Sequence, residues 1–353
     1  MNSNFLERAG LCPFIKEQVE NTETQGSLVR ISHVHKDVYL GINEIGEEIS
    51  LKLVGSVLKK YTESKKLPVV GDWVIVDENP MARFSSIKEI LIRKNEISRM
   101  SHNSISTLVS NVDYGIICAS LNQNFNLKRI ERYISLLKSS EVRAVLVLTK
   151  LDLYEGEEAI ENFVEKLISN LNVEEILPIS IEKKLNLESI EKLLCGNGTY
   201  TLLGSSGVGK STLTNYLLGE DIQKVQEIRE DGKGFHTTVS RSLHTFEGGV
   251  IIDTPGMRGM MLCASVEDIN ESYDDIKNLT MNCRFSNCGH TNEPGCELNK
   301  ALESGELDWS RYENYLKLLR EAAYFERKTS SAAYLAAKKE WKKVSCNARK
   351  KIY

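Results

Sequence analysis

The spacing of apolar and polar positions divides the chain into three regimes. From Gly26 to about Ile92 the apolar residues come in short β-type runs, Ser27–His33, Asp37–Ile42, Glu48–Lys52, Val69–Asp77 and Ala82–Leu91. Turns carrying Gly41, Gly46, Gly55, Gly71 and Asn79-Pro80 break them apart. Short strands set this closely predict a small closed barrel of the OB type, because an open sheet would leave two edges unpaired. Tyr39, Tyr61, Trp73 and Phe84 are read as core residues, since Trp73 opens the strand Trp73-Val74-Ile75-Val76; stacking platforms for nucleic acid are the other reading. Residues 1–25 read as helical and then loose, and Arg93–Ser104 as a polar linker.

Beyond the linker a βα rhythm begins. Val112–Ala119, Arg143–Leu148, Ile176–Ser180 and Tyr200–Leu203 are apolar runs, and the helical patterns Leu127–Lys138, Glu157–Ser169 and Leu187–Leu194 separate them. Apolar strands alternating with amphipathic helices predict a mostly parallel sheet covered on both faces. Ser240–Phe246 and Gly249–Asp253 read as an antiparallel pair turned at Glu247-Gly248. After Cys263 the chain is helical around Val266–Leu279, breaks into a Cys/His segment, and ends in basic helical stretches at Tyr312–Lys328 and Ala332–Lys343. The expected organisation is multidomain: a barrel over 1–94, a central α/β domain over 95–262 and a helical domain over 263–353.

Composition narrows the setting. The chain has 353 residues, 41% hydrophobic and 27% charged, with no apolar run long enough to span a bilayer. The start Met1-Asn2-Ser3-Asn4-Phe5 lacks the basic-then-apolar order of a signal peptide, so no membrane association and a cytoplasmic location are expected. No repeat or heptad demands association, and a monomer is expected. Net charge is −4, yet from Arg311 to Tyr353 there are 12 Lys/Arg against 4 Glu. A basic tail on an acidic body suits local RNA contact; a solvated helix face is the alternative.

The strand Thr199–Leu203 runs into Gly204-Ser205-Ser206-Gly207-Val208-Gly209-Lys210-Ser211-Thr212, which fits G-x-x-x-x-G-K-[ST]. Such a loop curls until successive backbone N–H groups converge on phosphate. The following helix adds its N-terminal dipole, Lys210 can reach the outer phosphates, and Ser211 can ligate Mg²⁺. A nucleoside triphosphate is the expected ligand. Asp253-Thr254-Pro255-Gly256 ends the run Gly249-Val250-Ile251-Ile252, so the Asp253 carboxylate can hold Mg²⁺ through water and the Gly256 N–H can sense the γ-phosphate. Between these motifs lies Gly232-Lys233-Gly234-Phe235-His236-Thr237-Thr238, a polar loop whose threonine hydroxyls can complete the Mg²⁺ shell when γ-phosphate is present.

Base choice rests on Thr149-Lys150-Leu151-Asp152, at the end of another apolar run. A carboxylate there can accept both the ring N–H and the exocyclic amine of guanine, which adenine does not offer on that edge. Lys150 would lie along the base plane, and Ser180 could offer a backbone N–H to the guanine carbonyl. GTP is therefore favoured over ATP. The base-reading motif precedes the phosphate loop, opposite to the usual order. Circular permutation preserves neighbours, so all parts can still meet at one sheet edge.

On these motifs the chain resembles the circularly permuted GTPases of the RsgA (YjeQ) family. The family's N-K-x-D appears as Thr149–Asp152, its phosphate loop as Gly204–Ser211, its His-Thr-Thr switch as His236-Thr237-Thr238, and its D-T-P-G as Asp253–Gly256. The resemblance implies an OB barrel, a GTPase domain and a zinc-binding helical domain. It also implies GTP hydrolysis to GDP, slow alone and faster on the small ribosomal subunit, whose late maturation such proteins assist. A nucleotide-sensing RNA-binding factor, with hydrolysis serving only release, is the alternative; a kinase fits less well. Thr149 departs from Asn, and the expected loss is an amide donor to the purine together with a side-chain tie to the phosphate loop. Met257, where a water-orienting Gln often stands, cannot polarise water. The resemblance implies His236 as substitute; a surface histidine is the other reading.

Cys283-x₄-Cys288-x-His290-x₅-Cys296 places three thiols and an imidazole within 14 residues. That donor set fits one structural tetrahedral Zn²⁺ with no open position. The barrel and the basic residues beyond Arg311, among them Lys338, Lys339, Lys342, Lys343, Arg349, Lys350 and Lys351, are the expected contacts with ribosomal RNA.

Overall fold

Residues 3–64, 66–79, 81–101, 104–219, 241–254, 264–291 and 293–329 are described by a computed structural model of the chain. Two short helices, α1 (Ser3–Arg8) and α2 (Pro13–Asn21), precede strands β1 (Ser27–His35), β2 (Val38–Ile42) and β3 (Glu48–Leu53). Helix α3 (Gly55–Glu63) and strands β4 (Trp73–Asp77) and β5 (Ser85–Ile90) follow. The strand order β1-β2-β3-β5-β4, with β4 returning to pair with β1, closes the expected barrel. Helix α3 was not expected; Tyr61 explains its place, buried against the barrel with its hydroxyl receiving the Ile90 amide N–H at 2.9 Å.

Strand β4 shows why its pattern is continuous rather than alternating. Val74 and Val76 point into the barrel core, while Trp73 and Ile75 join the larger core beneath the next domain. Tyr39, Tyr61 and Trp73 are core residues as read, whereas Phe84 is half-buried under the Lys52 ammonium, 4.2 Å from its ring centroid.

The expected linker is a hairpin. Strands β6 (Glu96–Ser101) and β7 (Ser104–Ser110) form their own two-stranded sheet. Its polar outer positions hid it in the sequence, but Ile97, Leu108 and Val109 are buried. Arg93 fixes its root to the barrel through a two-pronged pair with the fully buried Asp72, at 2.8 and 2.9 Å.

The central domain contributes β8 (Tyr114–Ser120), β9 (Arg143–Thr149), β10 (Glu175–Pro178), β11 (Gly198–Leu203), β12 (Ser242–Phe246) and β13 (Gly249–Asp253). Strands β10-β9-β8-β11-β13 are parallel neighbours, and β12 runs antiparallel to β13. Helices α4 (Leu127–Ser139) and α5 (Ile160–Asn170) lie over one face; α6 (Leu187–Leu193) and α7 (Lys210–Leu218) lie over the other. Through His33↔Ser242, β12 also pairs with β1, so barrel and central domain share one hydrogen-bonded sheet. At this join the buried Arg30 guanidinium donates to the Ala9 carbonyl, to the Asn111 carbonyl at 3.2 Å and to Thr199 Oγ1 at 2.9 Å, and lies 5.1 Å from the Trp73 ring centroid.

The helical domain comprises α8 (Val266–Ser272), α9 (Asp274–Met281), α10 (Glu297–Ser304) and α11 (Trp309–Thr329). The single helix read over Val266–Leu279 is thus broken at Tyr273, whose side chain is buried. The stretch Ala332–Lys343 and the basic residues beyond it lie outside the described residues. Helix α11 docks on α4 through a buried polar cluster. Arg311 pairs with Glu131 and, at 2.9 Å, with Asp275; Asn314 and the Tyr273 hydroxyl donate to Glu131 at 2.7 and 3.1 Å.

Replacing Glu131 by Ala leaves Arg311, Asn314 and Tyr273 short of an acceptor in a dry site. The expected loss is about 3 kcal/mol, because one partner of a buried pair is removed. It should appear as a lower melting temperature with early proteolysis of α11; an unchanged melt would show that the cluster contributes no net stability.

Candidate nucleotide site and metal centre

The phosphate loop leaves the carboxyl end of β11 between its parallel neighbours β8 and β13. Gly204 has φ +145°, and a Cβ there would meet the Cys118 carbonyl oxygen at 2.6 Å, so the chain can turn under β8 only without a side chain. Gly209, at φ +93°, releases the chain into α7, whose first amides have no intrahelical partner and open on the loop. The Lys210 ammonium spans the loop, donating to the carbonyls of Gly204 at 2.9 Å and Ser205 at 2.7 Å. Ser206, Gly207, Ser211 and Thr212 are exposed and Val208 is buried.

Asp253 stands opposite Leu202 at the end of β13. Burial raises the pKa of its carboxyl, while Lys210 and the Thr254 amide lower it. The Thr254 hydroxyl is pinned to the Leu202 carbonyl at 2.7 Å. One carboxylate, Asp253, and one ammonium, Lys210, thus share the edge where phosphate charge would enter. His236, Thr237, Thr238 and Gly256 lie outside the described residues.

The base-reading segment ends β9, across β8 from the phosphate loop. Thr149 is buried, and its hydroxyl donates to the Val208 carbonyl at 2.6 Å. The tie expected to be lost with Asn is therefore made by the threonine, whose shorter side chain suffices because β9 and the loop lie close. Lys150 takes a left-handed turn, φ +59°, into the 3₁₀ segment Leu151–Leu153 that carries Asp152. The Leu151 amide donates to the Ile179 carbonyl at 3.0 Å, docking this turn on the end of β10.

Ser180 differs from expectation. Its backbone N–H donates to the Leu185 carbonyl at 3.1 Å, closing a local turn, so that amide is already committed. Its hydroxyl instead donates to Asp152 and holds the carboxylate in place.

Arg129 was missed in the sequence. It sits in the first turn of α4, exposed, and its guanidinium donates to Ser205 Oγ at 3.1 Å. Nothing in the motif points to it; only the Asn126 cap that starts α4 fixes its position.

The four Cys/His residues meet between α9 and α10. Ligand atoms of Cys283, Cys288, His290 and Cys296 all lie within 4.8 Å of one another. Cys283 and Cys296 sulfurs are 3.8 Å apart, and each is 3.6 Å from His290 Nδ1. Tetrahedral Zn²⁺ with Zn–S near 2.3 Å sets S···S at about 3.8 Å and S···N at about 3.6 Å, so the donors fit the ion. His290 is left-handed, φ +58°, and the Glu293 carboxylate shapes its loop by accepting amides from Gly289 at 3.2 Å and Thr291 at 2.9 Å.

With the phosphate loop, the displaced base-reading turn and the Cys₃His cluster in one chain, comparison with known proteins is decisive. Residues 90–263 match the model of the RsgA GTPase family. A relative from Listeria monocytogenes serotype 4b (strain F2365), named small ribosomal subunit biogenesis GTPase RsgA 2, is 38% identical over 98% of this chain and 97% of its own length. The chain belongs to the RsgA GTPase family. A relative of the same name from Vibrio parahaemolyticus is 38% identical over 91% of this chain and 87% of its own. Among solved structures, YjeQ from Thermotoga maritima superposes with a TM-score of 0.61 at 26% identity, over 84% of this chain and 98% of that one. YloQ, described as a circularly permuted GTPase, gives 0.59 at 23% identity, over 86% and 96%, a likeness of fold. The RsgA fold thus accounts for the order of the motifs along this chain.

Thr149→Val keeps the side-chain volume and removes the donor to Val208. Nucleotide affinity is expected to fall about tenfold, the effect of about 1.4 kcal/mol, while Thr149→Ser stays near wild type in titration calorimetry. Equal affinities for the three proteins would discount the tie. Stripping metal with a chelator is expected to open about residues 282–299 to protease while nucleotide binding persists. Full protection of that segment in metal-free protein would contradict the fit.

Proposed function

We propose that the chain is a GTP hydrolase that acts as a nucleotide-switched factor in late maturation of the small ribosomal subunit and is stimulated by that subunit. The observation that carries this reading is the hydrogen bond from the Thr149 hydroxyl to the Val208 carbonyl, which ties the segment leading into Asp152 to the phosphate loop. Family membership supports hydrolysis, and the printed names of the relatives support the ribosomal role.

In this reading residues 204–212 cradle the phosphates, with Lys210 neutralising the oxygens that gain charge as the terminal phosphoryl group departs. Asp152, held by Ser180, accepts the guanine N–H groups, and Lys150 lies along the base. Ser211, Asp253 and Thr238 would hold Mg²⁺, which when bound screens the β- and γ-phosphate charge. His236 orients the attacking water, with Thr237 beside it, and the Gly256 N–H reports the γ-phosphate. Cys283, Cys288, His290 and Cys296 hold one structural Zn²⁺. The functional units are 1–94, 95–262 and 263–353; ribosomal RNA meets the barrel and the basic tail, and the protein works as a cytoplasmic monomer.

Single-turnover hydrolysis with and without purified small subunits tests this reading. Turnover should rise on adding subunits, Lys210→Ala should lose phosphate binding and hydrolysis together, and Asp152→Asn should lose preference for GTP over ATP. Wild-type protein that bound ATP as tightly as GTP would overturn the base assignment, and unchanged turnover in Lys210→Ala would overturn the phosphate site.

A further inference from the structure

Helix α4 opens with the wrong charge for a helix. Its first turn holds Lys128 and Arg129 and no acid, although the amino end of a helix disfavours cations. The helix follows β8, whose carboxyl end lies between the phosphate loop after β11 and the base-reading turn after β9. Its other charged groups nearby are matched by α11: Lys128 pairs with Glu313 at 3.8 Å, Arg132 with Glu321 at 2.6 Å, and Glu131 with Arg311. Among the described residues Arg129 has no carboxylate partner. Its exposed guanidinium instead donates to Ser205 Oγ of the phosphate loop, at 3.1 Å. We propose that Arg129 is a second cationic ligand of the nucleotide, releasing Ser205 to take an oxygen of the terminal phosphate.

Position identifies the phosphate. Lys210 donates to the carbonyls of Gly204 and Ser205, and the lysine of such a loop reaches the outer phosphates, so Ser205 lies at that end of the cradle. A guanidinium carries five N–H donors in a planar fork, and the contact with Ser205 engages one of its nitrogens. A charged phosphate oxygen is a stronger acceptor than a neutral hydroxyl, so the exchange is favourable. The Arg129 backbone N–H is held by the Asn126 side chain at 3.0 Å, so the helix start stays fixed while the long side chain swings. Arg129, Lys210 and the amino ends of α4 and α7 crowd like charge on one sheet edge, and a terminal phosphate offsets it. GDP lacks that group.

The inference rests on the nucleotide site proposed above and adds to it a residue that distinguishes triphosphate from diphosphate.

Calorimetric titration of the full chain with GDP and with a non-hydrolysable GTP analogue tests it. Arg129→Ala should bind the analogue about tenfold more weakly while its GDP affinity stays within about twofold of wild type. Arg129→Lys, which keeps the charge without the fork, should recover part of the loss. Ser205→Ala removes only the resting partner, so its ratio of the two affinities should match wild type. The Arg129 side chain is exposed, and both of its variants should melt with wild type. Unchanged affinities in Arg129→Ala would overturn the proposal. An equal fall for both nucleotides, reproduced by Ser205→Ala, would overturn it too, by making Arg129 a brace of the loop. Wild type that bound neither nucleotide would overturn the nucleotide site itself, and this inference with it.

Discussion

Parallel pairing is the constraint on which the rest of the molecule depends. Strands β9, β8, β11 and β13 run side by side in one direction, so whatever follows each of them emerges at the same edge. Thr149–Asp152, the phosphate loop and Asp253 are far apart in sequence and still become neighbours there. The order of segments along the chain does not alter this. A permuted sequence keeps the site because hydrogen-bonded register, and not chain order, decides which residues meet.

Helix α4 carries the site's influence outward. Its first turn touches the phosphate loop through Arg129, and the next turn engages α11 through Glu131 and through Arg132, which pairs with Glu321 at 2.6 Å. One rigid element therefore contacts both the loop and the helical domain. Arg129, Glu131 and Arg132 all lie in the first two turns of α4, so the contact with the loop and the contacts with α11 are held at the same end of one helix.

Much of this was legible in the sequence, and the reasons for the exceptions are physical. The βα rhythm and the five barrel strands were visible because apolar runs alternate with turn residues. The hairpin β6–β7 was hidden because its serines, Arg99 and Glu96 mask a buried face made of few residues, Ile97 among them. The phosphate loop and the Cys₃His cluster are local patterns and were read directly. Ser180 was read as offering its backbone N–H to the guanine carbonyl; that N–H is taken up by the turn to Leu185, which no motif encodes, and it is the hydroxyl that engages the site, through Asp152. Arg129 and the Thr149 tie are distances between elements, and only tertiary structure supplies them.

The pairing of Glu131 with Arg311 spans 180 positions of chain. A ribosome adding about 5–20 residues per second would take roughly 10–35 seconds to deliver the arginine after the glutamate has emerged. Throughout that interval the outer face of α4 lacks its cation and stays hydrated. The nascent nucleotide-binding core must then persist with one flank open until α11 is translated and completes it.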